Sequence, residues 1–304
     1  MDSVSHLLRL ARLEASLDKR CLLGGSTRMD VAAHPTRQAP FHVLLEGTCQ
    51  LEVGGQVLTL QSGDVVVIPR GVPHRVTTAG GQHPVGISET PGAAFTTTRS
   101  DDDGTPVIDL FCGHYTFGAG AGAILFESLP EPLHVSFGRE PATDGVLRML
   151  STLMRDEAAR DSDGTAAILS ALCTALLAMM LRTERGSATD ASMWTAVTDE
   201  RIGEAIAHIM EDPGADWSIE RLSRSLAMSR ATFIRRFSRA TGMTVGAFLA
   251  RIRLMTASEL LLTTDSTVAA VAARVGYQSE SAFSRGFRAA TGLTPARFRR
   301  AAAA

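Results

Sequence analysis

Cysteine and lysine are scarce in this chain of 304 residues, and long apolar runs are missing. Four cysteines without a Cys-x-x-Cys pair exclude a disulfide scaffold, so we expect reduced thiols and a cytoplasmic protein. The longest apolar stretch, residues 166–181, spans 16 residues. A membrane-spanning helix needs roughly 20, so this stretch predicts a buried helix. The N-terminal residues alternate charge with leucine, and we expect no secretory signal peptide.

The net charge is only −2, which taken as a total argues against a nucleic-acid partner. The charge is divided unevenly, however. Residues 1–216 carry 16 basic and 28 acidic side chains, a net charge of −12, whereas residues 217–304 carry 14 arginines and 4 acidic residues, a net charge of +10. The length fits two domains of about 150 residues, or two with a connector. A basic region of domain size predicts that only the C-terminal part contacts a polyanion.

Short apolar runs separated by glycine, proline and aspartate dominate residues 1–138. One run alternates Cys49, Leu51 and Val53 with polar side chains, a period of two that predicts a half-buried strand. Gly54 and Gly55 follow it and predict a two-residue hairpin turn. Many short strands at close spacing indicate a small β-barrel or sandwich in this part of the chain.

The apolar period changes to that of helices between residues 143 and 185. Two apolar stripes, separated by the polar segment 161–164, predict an antiparallel helix pair. These stripes hold more apolar surface than two helices can cover for each other. The pair therefore either packs on the barrel or forms a dimer interface, and both alternatives stay open here. Residues 186–193 have the composition of a linker.

An internal repeat fills much of the remainder of the chain. Residues 228–248 match residues 278–298 at a constant offset of 50. The clearest pairs are Ser229/Ser279, Phe233/Phe283, Phe237/Phe287 and Phe248/Phe298. Each copy predicts a helix, a tight turn and a second helix, with Ser229 and Ser279 as the N-caps of the second helices. This spacing is typical of helix-turn-helix units.

Helical geometry identifies which side chains of the second helices face outward. Phe233 and Phe237 define the buried face of the first copy, and the repeat transfers this face to the second. The outward residues, which suit base edges in the major groove, are Ala231, Arg235, Ser238, Ser281, Arg285 and Arg288. The arginines on the flanks, which suit phosphates, are Arg230, Arg236 and Arg239. Exposed arginines on a helix are usually a solvated face, but the duplication and the local charge of +10 favour DNA binding.

This part of the chain resembles the AraC/XylS-type DNA-binding domain. The resemblance covers residues 198–300, and its most specific segment is GYQSESAFSRGFRAATGLTPARFR. Residues 251–262 are similar to the linker helix of that family. The resemblance implies seven helices that form two helix-turn-helix units, with two successive major-groove contacts on one face of duplex DNA. It also implies RNA polymerase as a partner, and an N-terminal domain that senses a signal or forms a homodimer.

The N-terminal part contains a motif that resembles the second cupin motif. Gly63, Pro69, Gly71 and His74 stand at its spacing, G-x5-P-x-G-x2-H, which would point His74 into the barrel. The first cupin motif is incomplete, because Pro40 stands where a histidine would lead it. The metal ligands that could remain are His42, Glu46 and His74. We therefore expect a vestigial barrel with a core histidine, and no metal or other cofactor.

The four cysteines differ in their surroundings. Cys49 and Cys173 lie on apolar stripes, which predicts small core residues. Cys21 directly follows a lysine and an arginine, and nearby cations favour a reactive thiolate. Cys112 has His114 two residues further along the chain, which could act in the same way.

The N-terminal part also resembles the cupin-sensor subgroup of AraC-type activators that respond to reactive chlorine. The segments LLRLARLEASLDKRCLLGG and DLFCGHYTF carry this resemblance. It implies that Cys21 and Cys112 are a redox-sensing pair that reacts with hypochlorous acid or a similar oxidant. A disulfide between them would require Cα atoms within about 7 Å of each other.

The sequence thus predicts an α+β fold: a cupin-like β-barrel at residues 1–140, a helical connector at 141–193, and an all-α double helix-turn-helix domain at 194–304. The favoured function is that of a bacterial transcription regulator, responsive to oxidants through Cys21 and Cys112, and no enzyme activity is expected. One alternative is an AraC-type regulator with a small organic effector bound inside the barrel. A less favoured alternative is a cupin metalloenzyme fused to a DNA-binding domain.

Overall fold

The computed structural model describes residues 3–80, 85–101, 104–118, 120–137, 141–183 and 200–303. The chain divides into two compact units. The barrel unit comprises Glu14–Thr116 and Glu131–Met180, and the helical unit comprises Met1–Leu13, Phe117–Pro130 and Leu181–Ala304. The predicted linker at residues 186–193 lies outside the described residues, and the domain boundaries at residues 140 and 193 stay a prediction.

The strands of the barrel unit form one curled sheet. Their bounds are β1 (Glu14–Leu23), β2 (Arg28–Val31), β3 (Gln38–Val53), β4 (Gln56–Gln61), β5 (Asp64–Val67), β6 (His74–Thr78), β7 (Ile87–Pro91), β8 (Thr96–Ser100), β9 (Ile108–Thr116) and β10 (Leu133–Ser136). The strand order is β10-β5-β3-β9-β1-β8-β7, while β4 and β6 pair with β3, and β2 pairs with β6. This architecture confirms the predicted N-terminal β-barrel.

The longest strand, β3, curls the sheet by changing partners along its length. Its first half pairs with β5 and β9, and its second half pairs with β4 and β6. The register shifts between Leu44 and Glu46, and such a bulge bends a strand and increases its twist. Gly54 and Gly55, with φ of 56° and 78°, form the predicted turn from β3 to β4, because a type I′ turn requires positive φ at both positions.

Apolar side chains from seven strands meet in one core inside the barrel. The core residues are Cys21, Leu23, Met29, Leu44, Cys49, Leu51, Val53, Leu60, Val66, Ile68, Val76, Ile108, Leu110 and Cys112. From Cys49 to Val53 they alternate with outward-facing residues of β3, as a half-buried sheet requires, whereas the first half of β3 is buried on both faces. Side chains thus occupy the interior that an organic effector would need.

Two helices of the barrel unit, α3 (Pro141–Arg160) and α4 (Thr165–Thr183), pack on the sheet. Arg155 of α3 donates to the carbonyl of Leu45 at 2.9 Å, and the Tyr115 hydroxyl donates to the carbonyl of Cys173 in α4 at 2.8 Å. The first of the two alternatives, packing on the barrel, is therefore observed. By length and composition alone Thr165–Arg182 could cross a membrane, a test that the core helix of a soluble protein also passes, and 39% of this segment is buried within the protein.

The helical unit contains α1 (Ser3–Ala11) and α2 (Ala121–Glu127) from the N-terminal half of the chain. Seven helices follow in residues 200–303, the number that the resemblance implies. They are α5 (Glu200–Glu211), α6 (Ile219–Ser225), α7 (Arg230–Thr241), α8 (Val245–Thr263), α9 (Val268–Arg274), α10 (Glu280–Thr291) and α11 (Pro295–Ala303). The predicted linker helix lies within α8, which joins the pair α6–α7 to the pair α9–α10. Both α1 and α2 contact α8.

Three buried phenylalanines pack together in each copy of the repeat. In the first copy, the ring centroid of Phe237 lies 5.6 Å from that of Phe233 and 5.4 Å from that of Phe248. In the second copy the corresponding distances are 5.5 Å and 5.2 Å, among Phe283, Phe287 and Phe298. The predicted buried face of both second helices is thereby confirmed, and the sequence repeat is a repeat of structure.

The turns of the two copies differ by one residue. Helices α6 and α9 align at an offset of 49, whereas α7 and α10 align at 50, so the second turn is one residue longer. Ala227 and Gly276 occupy equivalent turn positions, with φ of 50° and 83°. Ser229 and Ser279 accept hydrogen bonds from backbone N–H groups in the first turns of α7 and α10, which confirms the predicted N-caps.

Replacing Ala227 by glycine is expected to stabilise the helical unit by about 1 kcal/mol, because glycine adopts a positive φ without the steric cost that Ala227 bears. Urea unfolding of the full chain measures this change. The control is Ala289→Gly at an exposed position inside α10, where glycine should instead cost about 1 kcal/mol. Equal destabilisation by both substitutions would contradict the strain at Ala227.

Candidate functional site

The structure brings Cys21 and Cys112 together inside the barrel. Cys21 lies on β1 and Cys112 on the neighbouring antiparallel strand β9, and their Sγ atoms are 3.7 Å apart. Both side chains are buried. The thioether of Met29 lies 3.7 Å from the Cys21 Sγ on the other side. Two thiols from distant parts of the sequence therefore share one apolar pocket.

Strand register makes Cys21 and Cys112 diagonal neighbours, not directly opposed ones. Cys112 pairs with Lys19, and Cys21 pairs with Leu110. Diagonal positions on antiparallel strands have Cα atoms about 7–8 Å apart, whereas a disulfide usually spans about 4.4–6.8 Å. The sulfurs must also close from 3.7 Å to about 2.05 Å. From these typical dimensions we expect disulfide formation to need a local shift of β1 against β9.

A histidine pair adjoins the thiols. His42 Nδ1 lies 3.2 Å from the Cys112 Sγ, and His42 Nε2 lies 2.8 Å from His74 Nε2. His74 Nδ1 lies 3.0 Å from the carbonyl oxygen of Val72. Cross-strand pairing positions this row, because His42 on β3 stands opposite Cys112 on β9. As predicted, His74 is buried and joins the row.

The prediction that His114 is the basic neighbour of Cys112 is wrong. His114 lies 2.6 Å from an Asp18 carboxylate oxygen, whereas His42 is the histidine in contact with Cys112. His42 is 70 residues from Cys112 in the chain, so only the register of β3 and β9 brings it there. An alternation analysis of β3 could have indicated an inward His42, but not its partner.

The two thiols have opposite acid–base tendencies. The hydrogen bond with Cys112 lowers the pKa of Cys21, against its burial, and the nearby ammonium of Lys19 acts in the same direction. The same hydrogen bond, together with burial, raises the pKa of Cys112 well above its ordinary value. Burial, with the charges of His74 and His34 adding to it, lowers the pKa of His42 far enough to keep its imidazole neutral. Cys21 thus has a cation nearby, and Cys112 is in contact with a neutral base.

Cys49 and Cys173 are the other two cysteines of the chain. Both are buried, and burial raises the pKa of each thiol to about 12. Cys49 belongs to the barrel core, and Cys173 lies on the buried face of α4. They fit the prediction of small core residues.

The remaining cupin metal ligands do not assemble in this chain. His42 and His74 are in contact, but the Glu46 side chain is 72% exposed and pairs with Arg155 at 3.4 Å. The bulge between Leu44 and Glu46 turns this carboxylate away from the barrel interior. In the part of the chain that the structure describes, no three His, Cys, Asp or Glu side chains are arranged to hold a metal ion. The residues present therefore do not fit the cupin metal set.

The predicted DNA-facing side chains lie on the surface of α7 and α10. Those that are exposed are Arg230, Ala231, Arg235, Arg236, Arg239, Ser281, Arg285 and Arg288. Ser238 is half-buried and does not have the predicted outward position, because it directly follows the buried Phe237, about 100° from it around the helix. Arg230 forms an ion pair with Glu220 of α6, and Arg285 donates to the Ser281 hydroxyl at 3.2 Å. Their contacts with DNA stay a prediction.

Comparison of the two repeat copies did not identify Arg297 as a candidate DNA contact. Arg297 and Arg288 line a groove of about 400 Å³ at the start of α11, together with Gly292, Leu293 and Thr294. The repeat partner of Arg297 is Ala247, so the duplication gave no signal at this position. Two guanidinium groups facing one polar groove suit a phosphate oxygen.

Comparison with known proteins covers both parts of the chain. A family model described as Cupin matches residues 2–184, and a model described as Helix-turn-helix domain matches residues 222–301. A Haemophilus influenzae protein named Uncharacterized HTH-type transcriptional regulator is 30% identical, over 99% of both chains. The Escherichia coli RCS-specific HTH-type transcriptional activator RclR is 27% identical, over 98% of this chain and 97% of its own. The Neisseria gonorrhoeae HTH-type transcriptional regulator MtrA is 29% identical, over 99% and 98%.

Proposed function

Because the chain belongs to the AraC-type family of helix-turn-helix transcriptional regulators with an N-terminal cupin domain, we propose that the redox state of Cys21 and Cys112 controls its binding to promoter DNA. The observation that carries this proposal is the buried pair of thiols with their sulfurs 3.7 Å apart. Its relatives are named as transcriptional regulators, which supports regulation over enzyme activity. We also propose a cytoplasmic location, which the naming of its relatives as transcriptional regulators supports.

In this proposal α7 and α10 enter successive major grooves. Arg235 and Arg285 are the exposed arginines that face outward at equivalent positions of the two helices, and each reads a base edge. Arg239 and Arg297 contact phosphates and fix the register of the protein on the duplex. Arg288, which the sequence alone assigned to a base edge, is proposed to contact a phosphate instead, because it lines the same groove as Arg297. The local charge of +10 in residues 217–304 supplies the long-range attraction to DNA.

Promoter binding is expected to weaken about 10²–10³-fold between 50 and 200 mM salt, which corresponds to roughly four to six neutralised phosphates. Fluorescence anisotropy with a labelled promoter fragment at several salt concentrations measures this slope. Arg288→Ala should make the slope shallower by about one. Binding that is indifferent to salt would contradict a phosphate-tracking helical unit.

The oxidant is proposed to be hypochlorous acid or a related reactive chlorine species. The name of the E. coli relative ascribes this specificity to that protein, and the thiol pair of the present chain has the chemistry to follow it. Cys21, the thiol with the lowered pKa, provides the nucleophilic thiolate, and Cys112 is the partner within reach. The product is a Cys21–Cys112 disulfide that reductant reverses.

The signal is proposed to travel along the two strands that carry the cysteines. β1 follows α1 directly in the chain, and β9 leads through residues 117–120 to α2. Both helices belong to the helical unit and contact α8, the helix between the two DNA-reading pairs. The shift of β1 against β9 that a disulfide requires therefore displaces the chain ends that continue into α1 and α2.

Peptide mapping after treatment with one equivalent of hypochlorous acid tests the redox part of the proposal. We expect a Cys21–Cys112 linked peptide, with Cys49 and Cys173 still open to alkylation after unfolding. A disulfide that includes Cys49 or Cys173, or no disulfide at all, would overturn it.

Two further partners are proposed from the family relationship: RNA polymerase and a second copy of the chain. Met149, Leu153 and Ile168 expose large apolar side chains on α3 and α4, and a second copy could cover them. Analytical ultracentrifugation of the full chain tests the homodimer.

A further inference from the structure

We propose that His42 is the general base that accepts the Cys112 proton when the disulfide forms, and that His74 and the Val72 carbonyl determine which His42 nitrogen does so. This inference rests on the proposed redox function and adds the group that makes Cys112 a nucleophile. It is carried by the row of contacts Cys21, Cys112, His42, His74 and Val72, all on strands of the barrel unit or the loop before β6.

The protonation of the row follows from its last member. A carbonyl oxygen only accepts hydrogen bonds, so His74 Nδ1, at 3.0 Å from the Val72 oxygen, must carry a proton. A neutral His74 then has a bare Nε2, which accepts from His42 Nε2–H at 2.8 Å. A neutral His42 in turn has a bare Nδ1, which faces the Cys112 Sγ at 3.2 Å. The backbone thus fixes a lone pair on the cysteine side of His42.

Burial favours a protein base over bulk water at this position. Cys112 is 9% exposed and His42 is 2% exposed, so water has little access to the thiol proton. In the part of the chain that the structure describes, Cys112 Sγ has two hydrogen-bonding neighbours, Cys21 Sγ and His42 Nδ1. The first of these is the sulfur that Cys112 must attack, so the proton has to leave towards His42.

The reaction then has two balanced steps. The Cys21 thiolate attacks the chlorine of hypochlorous acid, an S–Cl bond forms, the O–Cl bond breaks, and hydroxide leaves. Cys112 sulfur next attacks Cys21 sulfur, the S–S bond forms, and chloride leaves with the electron pair of the S–Cl bond. The Cys112 proton moves to His42 Nδ1, and hydroxide released in the first step neutralises it as water. Two thiol sulfurs are oxidised and one chlorine is reduced to chloride.

The row also explains how one cysteine can serve both steps. Before oxidation the Cys112 S–H can donate to the Cys21 thiolate, which lowers the pKa of Cys21. After the first step the Cys21 sulfur carries chlorine and no negative charge, so it is a poor acceptor. The Cys112 S–H then turns to His42, whose burial lowers its pKa and leaves its imidazole neutral and able to accept. The proton is removed only once Cys21 has become an electrophile.

The test separates the two steps in time. Full-length protein is treated with one equivalent of hypochlorous acid, and samples are quenched with an alkylating agent at increasing times. Mass spectrometry then measures two quantities, the loss of the Cys21 thiol and the growth of the disulfide-linked Cys21–Cys112 peptide. His42→Gln should slow disulfide growth about 100-fold and leave loss of the Cys21 thiol unchanged. His74→Ala should slow growth about tenfold, because the tautomer of His42 is no longer fixed. His134→Gln, a histidine of β10 that pairs with Asp64, is the matched control and should keep the wild-type rate.

Chemical rescue distinguishes loss of a base at position 42 from a structural effect of the substitution. Imidazole added to His42→Gly should restore disulfide growth at least tenfold, and should do nothing for Cys112→Ser. Disulfide growth in His42→Gln at the wild-type rate, or slow growth that imidazole does not restore in His42→Gly, overturns the role of His42 while the redox pair stands. A wild-type chain that forms no Cys21–Cys112 disulfide overturns the redox function itself.

Discussion

Replacing Cys112 by serine is expected to abolish the response of promoter binding to hypochlorous acid. In the wild type we expect oxidation to change promoter affinity about 5–150-fold, the usual size of coupling between two sites. Without Cys112 the oxidised Cys21 loses the thiol that lies 3.7 Å from it, and β1 is not linked to β9. Anisotropy with labelled promoter DNA, before and after one equivalent of oxidant, measures the response.

The matched controls are Cys49→Ser and Cys173→Ser. Both remove a buried thiol whose pKa burial raises to about 12, and both should keep the wild-type response. Cys21→Ser should behave like Cys112→Ser. If the double variant with serine at both positions 21 and 112 responds like the wild type, a different site senses the oxidant.

Removing Arg235 or Arg285 has the second large expected effect. Arg235→Ala and Arg285→Ala should each weaken promoter binding by about 1–3 kcal/mol and relax the preference for particular bases, because each removes a contact to a base edge. Binding to a set of promoter fragments with single base-pair changes measures both effects. Arg201→Ala, an exposed arginine of α5, is the control and should change affinity by much less.

A uniform loss across all fragments would contradict this assignment of helix faces. Uniform loss is the signature of a phosphate contact, which we expect instead for Arg288 and Arg297. In that case the base-reading residues would lie elsewhere on α7 and α10.

The helical unit could be predicted in detail because its signals are local. Phe233 and Phe237 recur at helical spacing, their repeat partners do the same, and Ser229 and Ser279 mark where the second helices begin. Each of these depends on neighbours within about one turn of helix. The duplication then supplies a second instance of each of these signals.

The thiol site could be predicted only in part, because it depends on strand register. The resemblance indicated Cys21 and Cys112, but His42 contacts Cys112 through the pairing of β3 with β9, which sequence periodicity does not set. The bulge that turns Glu46 outward is a further register effect. On the helical side, the ion pair of Arg230 with Glu220 joins two helices and has no signature in either one.

The most direct test is one sample taken through a complete redox cycle. Promoter affinity of the full chain is measured in the reduced state, after one equivalent of hypochlorous acid, and again after dithiothreitol, and the cysteines are mapped at each stage. We expect the affinity to change together with the appearance of the Cys21–Cys112 disulfide and to return when that disulfide is reduced. Unchanged affinity in a fully disulfide-linked sample would contradict the control of DNA binding by this thiol pair.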